Sequence, residues 1–288
     1  MRKLLALLSL LVGLAYAETI VVGGKNFTEQ QFLAEMTSQL LKAKGFDVDK
    51  KNGMGSTVLR KAQVHGQIDL YWEYTGTSLI TYNKVKEKLT SSEVYERVKK
   101  LDKEVGLVWL EPSQANNTYA LAMRISDKNK YNINTISDYA KAMNNKLKIK
   151  TGLNSEFAAR PDGMPGVEKA YKFKLSRSNK IKMDSGLIYT ALNNKDIDLG
   201  LVFATDGRIS AFNFYTLKDD LGFFPNYALV PVIREETLKK NPSLKNILNK
   251  VSGILTDDLI RSINRQIDVD KKTVKNVAAN FLNENGLI

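Results

Sequence analysis

The chain has 288 residues, a formal net charge of +12, one histidine and no cysteine. Without cysteine there is no disulfide and no site for N-terminal lipidation, and a lone histidine leaves almost no material for a transition-metal centre or a Ser-His nucleophile, so no cofactor and no metal are expected. The basic balance raises nucleic acid or anionic membrane as partners, but the lysines are scattered among acids and pairs such as Lys99-Lys100, Lys239-Lys240 and Lys271-Lys272 are short, which describes a solvated basic surface and no nucleic-acid role.

Met1-Arg2-Lys3, the apolar run Leu4 to Leu14 and the small-residue site Ala15-Tyr16-Ala17 have the layout of a secretory signal peptide, too short for a stable bilayer anchor. Residues 1–17 are expected to be removed, which takes away Arg2 and Lys3 and leaves a soluble monomer in a Gram-negative periplasm. An uncleaved N-terminal anchor is the alternative. The mature length is large for one core and predicts two α/β lobes.

Thr19 to Val22 reads as a strand ending in Gly23-Gly24-Lys25-Asn26. Thr28 with Gln31 three residues on reads as a capping box for a helix from Glu29 to about Lys44, ended by Gly45. The Gly23-Gly24 backbone is expected to approach a ligand, with Lys25 and Asn26 at the rim; the bland reading is a plain turn, and the spacing is not that of a phosphate loop. Phe46 to Val48 reads as a second strand, and Val58 to His65 as a helix that His65-Gly66 closes.

Ile68 to Thr77 is rich in β-formers and stops at Thr75-Gly76-Thr77. In α/β sheets ligands sit beyond the carboxyl ends of strands, which makes Tyr74 and Thr77 the first candidate contacts. The alternative is that Tyr71, Trp72 and Tyr74 are packing aromatics beside a turn. A helix from Ser91 to Glu104 and a strand Val108 to Leu110 follow, then the polar linker Pro112 to Asn117, a first crossing between lobes. Beyond it come a strand Thr118 to Met123, a helix Ile136 to Met143 and a strand Leu147 to Lys150. Ser155 is placed as the cap of a helix starting at Glu156-Phe157, where Arg160 either docks a carboxylate or pairs with Asp162 or Glu156. The helix Ser185 to Asn194, the strand Ile197 to Phe203 and the turn Ala204 to Arg208 repeat the construction around Tyr74. A second crossing near Phe212 to Thr216 leads to Phe223 to Tyr227, a strand Ala228 to Val232, and helices that close the first lobe. The division is 18–116 with 213–288, and 117–212.

An exported hydrolase would use paired carboxylates such as Glu73 with Asp206, although Asp206-Gly207-Arg208 reads more simply as a turn with its own salt link. A sensory ligand-binding module is the other alternative.

Six stretches in consistent order, Gly23 to Gln30, Asp69 with Glu73 to Thr77, Asn117 to Ala120, Glu156-Phe157 with Arg160 and Asp162-Gly163, Thr205 to Ile209, and Phe223 to Pro225, resemble the substrate-binding proteins of ABC importers for osmoprotectants and other trimethylammonium compounds. The resemblance implies a type II periplasmic binding protein fold, not an enzyme, with two crossings and hinge closure on a ligand that passes to an inner-membrane ABC permease. It implies an aromatic cage of Tyr74, Tyr119, Phe203 and Tyr227. A trimethylammonium donates no hydrogen bond and is drawn to ring faces by about 0.5–2 kcal/mol per contact. Thr77 and Asn117 would hold the ligand's polar end, and the matched stretches add Lys25, Asn26, Glu73, Phe157, Arg160, Thr205 and Asp206 to the implied site. Phe203 departs from the Tyr common in relatives that bind choline and glycine betaine. Lys25 departs from the uncharged residue of some relatives and would favour carboxylate ligands over choline. One branch imports the betaine ergothioneine, which Glu73, Arg160 and Phe203 could suit.

Overall fold

A computed structural model describes residues 19–288; the expected signal peptide, residues 1–17, lies outside them. The chain begins β1 (Ile20–Lys25), α1 (Thr28–Ala43), β2 (Val48–Met54), α2 (Ser56–Val64), β3 (Leu70–Tyr74), a π-helical stretch (Thr77–Tyr82), α3 (Ser91–Lys103) and β4 (Leu107–Trp109). It continues with β5 (Tyr119–Arg124), α4 (Ile125–Tyr131), α5 (Ile136–Asn144), β6 (Thr151–Leu153), α6 (Met164–Ala170), β7 (Lys180–Lys182), α7 (Ser185–Asn193), β8 (Leu199–Phe203), α8 (Arg208–Ala211) and β9 (Phe214–Thr216). It ends with β10 (Leu229–Arg234), α9 (Glu235–Lys240), α10 (Ser243–Ser252), α11 (Asp257–Asp268) and α12 (Val274–Glu284).

Two five-stranded sheets result, ordered β2-β1-β3-β10-β4 and β7-β6-β8-β5-β9. Each has three parallel strands, β2-β1-β3 or β7-β6-β8, and one antiparallel strand, β10 or β5, wedged between the third and the last. The chain crosses between sheets after β4 and again before β10. β9 pairs with β5, the Leu217 amide donates to Leu121 at 2.8 Å and Lys218 is bridged to Thr135, so residues 214–218, placed with the first lobe by the expected division, pair with the second sheet's half. The two crossing segments lie side by side, with Asn116 bridged to Ala228 and the Asn117 amide donating to the Tyr227 carbonyl at 3.2 Å.

β3 lies at the centre of its sheet with all five residues buried. Burial of its acidic flanks requires partners. Asp69, just ahead of the strand, accepts from the Val21 amide at 2.8 Å and from Thr237 at 2.6 Å, and Glu73, inside the strand, is ion-paired with Lys25 of β1. The tandem glycines of β1 serve packing rather than ligand approach. A Cβ at Gly23 would meet Leu59 and Ile68 at 2.6 and 2.8 Å, and one at Gly24 would meet Ala34 at 2.9 Å, so their absence lets β1 seat against the flanking helices.

Several local expectations are corrected. Phe27, not Thr28, holds the N-cap position of α1 and makes no side-chain capping bond; the Thr28 hydroxyl instead donates to Asp268 at 2.8 Å. The second strand starts at Val48, the last residue of the expected strand, and β6 begins at Thr151, beyond the stretch expected to be extended. No helix starts at Ser155: residues 155–159 form a single turn, closed by Asn154, whose side chain accepts from the Phe157 amide at 2.7 Å. His65 does occupy the C-cap of α2, followed by Gly66 at φ +78°. The largest apolar cluster contains residues of both sheets, among them Tyr74, Tyr119, Phe157 and Tyr227, so the two halves share a core at their junction.

Candidate ligand-binding site

Sheet topology delivers four aromatic rings to one place. Tyr74 ends β3, Tyr227 stands two residues ahead of β10, Phe203 ends β8, and Tyr119 opens β5 in register with Phe203. All four line one cavity of about 90 Å³, together with Lys25, Asn26, Thr77 and Asn117. Tyr119 lies 5.3 Å from Tyr227, nearly edge-on at 77°, and 5.6 Å from Phe203, centroid to centroid. Phe27 completes the arc, 5.0 Å from Phe203 and 6.2 Å from Tyr74. Rings from both sheets thus border one cavity.

The tyrosines of the first sheet are fixed by acids. The Tyr74 hydroxyl donates to Glu29 at 2.6 Å and accepts from Gln30 at 3.1 Å, while the Tyr227 hydroxyl donates to Asp162 at 2.7 Å. Burial first, and then the adjacent carboxylate, pushes both phenols well above their ordinary range, so they remain neutral donors. Gly76 permits the arrangement, because a Cβ there would fall 2.8 Å from the Tyr227 ring.

The charged candidates are already partnered. Lys25 was expected at a rim but is 2% exposed; its Nζ donates to Glu73 at 2.5 Å and lies 4.9 Å from the Tyr74 ring centroid. Glu73 also accepts from the Tyr71 and Tyr82 hydroxyls at 2.8 and 3.0 Å and from the Tyr74 amide at 2.6 Å. Arg160 binds Asp162 through Nε at 2.8 Å and Thr77 at 3.2 Å, approaches Glu156 at 3.8 Å, and stands 5.3 Å over the Tyr119 ring. Arg208 binds Asp206 through Nε at 2.9 Å, the salt link expected within that turn.

Glu73, Phe157 and Arg160 therefore stand behind the lining rather than in it: Phe157 is fully buried with its ring 5.0 Å from Tyr119. Thr205 and Asp206 line a second hollow of about 350 Å³ that shares Asn26, Phe27, Asn117 and Phe203 with the first. Among the described residues no group of three or more histidines and acids could hold a metal, and no helix is long and apolar enough to cross a membrane.

Residues 18–284 match the substrate-binding domain of ABC-type glycine betaine transport systems. The chain belongs to this family. The glycine-betaine-binding protein of Pseudomonas aeruginosa is 42% identical over 282 residues, 96% of this chain and 91% of that protein. The ergothioneine transport permease/ergothioneine binding protein EgtU of Helicobacter pylori is 37% identical over 271 residues, 93% of this chain and 48% of the longer protein. A crystal structure of a glycine betaine/carnitine/choline ABC transporter superposes with a TM-score of 0.72 at 28% identity, covering 93% of this chain and 99% of that one. The fold is that of the type II periplasmic binding proteins, and the family is one of solute-binding components of ABC importers.

This substrate-binding domain lines its cavity with residues that the sequence reading left out: Phe27, Ser56, Glu156, Asp184 and Ser185. Phe27 follows Asn26 directly, and an aromatic ring at the N-cap of a helix beside a glycine turn was its available signal. For Glu156 the sequence offers a helix start and a pairing with Arg160 but not its contact on the other sheet: it accepts from the Ser56 amide at 2.6 Å and hydroxyl at 2.8 Å, capping α2 from across the cleft.

Proposed function

We propose that the mature chain is the soluble, monomeric periplasmic receptor of an ABC importer, without enzymatic activity, that traps a trimethylammonium compound between its two lobes and delivers it to an inner-membrane permease. The observation that carries this reading is the convergence of Tyr74, Tyr119, Phe203 and Tyr227 from two sheets on one cavity. Such faces stabilise a cation that is cheap to dehydrate and has no hydrogen to donate. Thr77, Asn117 and Asn26 hold the polar end. Lys25 meets the cavity already paired with Glu73, so it favours carboxylate ligands over choline less than a free ammonium would. Glu73, Phe157 and Arg160 position this lining, and Thr205 and Asp206 border the ligand's far end.

Glycine betaine is the first ligand to test, in line with the Pseudomonas relative. The neighbouring 350 Å³ hollow favours a second reading, a longer betaine such as ergothioneine, in line with the Helicobacter relative. Neither a sensory module nor a hydrolase built on Glu73 and Asp206 draws support from these likenesses, and both acids hold cations of their own. Isothermal titration with glycine betaine, choline, carnitine and ergothioneine ranks the candidates. At least one binds more tightly than about 1 mM, roughly −4 kcal/mol; weaker binding by all four overturns the reading, and product formed from any of them restores the enzyme.

A further inference from the structure

Five carboxylates are buried in the described residues, and four of them have a cation. Glu73 pairs with Lys25, Asp102 with Arg60, Asp162 with Arg160 and Asp206 with Arg208, all at 2.5–2.7 Å. Glu29, in the first turn of α1 and 2% exposed, has no ion pair among the described residues. Its oxygens accept from two neutral donors, the Tyr74 hydroxyl at 2.6 Å and the Thr205 hydroxyl at 2.5 Å. A carboxylate removed from water without a countercharge is costly, and burial accordingly raises this group above its ordinary range.

The position of Glu29 tells what the missing partner is. It borders the hollow that shares Asn26, Phe27, Asn117 and Phe203 with the ring-lined cavity. It grips the edge of one cage ring, Tyr74, and through Thr205 it reaches the loop two residues beyond another, Phe203. A phenol that donates to a carboxylate has a more electron-rich face, and a trimethylammonium spreads its charge over its methyl groups, so it responds to a nearby anion without touching it.

We propose that Glu29 is the countercharge for the ligand's cationic head and a specificity-determining residue, selecting cations over neutral molecules of the same shape. This rests on the trimethylammonium reading above. Its role differs from that of Glu73 and Asp162, whose charge is already spent on a protein cation.

The probes are glycine betaine and 3,3-dimethylbutanoate, in which a neutral tert-butyl group replaces the trimethylammonium. Titrated into Glu29→Gln, glycine betaine loses at least about tenfold in affinity, whereas 3,3-dimethylbutanoate binds as well as before or better. Equal loss of both probes, or unchanged glycine betaine binding, overturns the proposal and leaves Glu29 a structural residue. Should the Gln variant fail to fold, carboxyl-carbon NMR of the wild-type protein decides. The Glu29 signal then titrates at a lower pH with glycine betaine bound than without, against the same background of Asp184, Asp206, Arg208 and Asp268 around that hollow. No downward movement overturns the proposal. If wild-type protein binds neither glycine betaine nor any other trimethylammonium compound, the functional reading fails first and this inference falls with it.

Discussion

Tyr74 and Tyr227 stand at the junction of β3 and β10 as Phe203 and Tyr119 stand at the junction of β8 and β5, because the two sheets share one strand order. The pairs are held by different forces. Each hydroxyl of the first pair is bonded to a buried acid, Glu29 or Asp162. In the second pair Phe203 has no hydroxyl, and that of Tyr119 makes no hydrogen bond among the described residues; packing against Phe27 and Phe157 positions these rings. Repeated topology thus sets where the rings are, and the polar groups behind them set how firmly each is held. Directional hydrogen bonds restrain the tilt of the first pair, whereas contacts alone hold the second. On the cage reading proposed above, the first-sheet side would be the rigid wall, and accommodation of different ligands would belong to the second.

The comparison is broken most forcefully at Arg160. Replacing it with Ala leaves Asp162, 1% exposed, without its cation and deprives Tyr227 of a stable acceptor. Removal of one partner of a buried pair costs about 3–5 kcal/mol, measurable as a lower urea midpoint. A loss below about 1 kcal/mol would mean that water reaches Asp162, and the rigid wall would not be rigid.

Removal of the rings themselves comes next. Tyr74→Ala and Tyr227→Ala each weaken binding of the preferred ligand at least about tenfold, or 1.4 kcal/mol, by isothermal titration. Each also lowers stability by about 3 kcal/mol, the cost of emptying a buried aromatic site. Phe203→Ala matches them in affinity but loses less stability, since that ring is only partly buried. Wild-type affinity in either tyrosine variant would relocate the site.

Deleting hydroxyls sharpens the contrast without disturbing volume. Tyr74→Phe leaves Glu29 and Gln30 short of a partner in a dry environment, at about 1–3 kcal/mol in stability. Tyr119→Phe removes nothing that is bonded and costs less than about 0.5 kcal/mol. Equal losses would show that the second pair is anchored too.

The strands that carry these rings were legible because β-formers ended in Thr/Gly turns at both Tyr74 and Phe203, and the repeat itself announced two halves. Helix starts were less so. Thr28 has the composition of a cap, but tertiary structure recruited its hydroxyl to Asp268, some 240 positions away. The buried state of Lys25 was hidden for the same reason. A lysine after two glycines reads as a rim residue until Glu73, 48 positions on, supplies the pairing that permits burial. Glu29 and Glu156 fall within the stretches that carry the family resemblance, but their contacts across the cleft, to Thr205 and Ser56, leave no local pattern in the sequence.

Phe203→Tyr is the mildest test and bears directly on the loose pair. The ring keeps its π face and its stacking on Phe27 at 5.0 Å, and the new hydroxyl enters a partly exposed position, where water can satisfy it. Affinity for glycine betaine should change by less than about threefold, roughly 0.7 kcal/mol. A gain beyond that would mean the added hydroxyl had found an anchor equivalent to Glu29 or Asp162. The second-sheet side would then be an unfinished copy of the first rather than its compliant counterpart, and ligand preference would follow from that one missing oxygen.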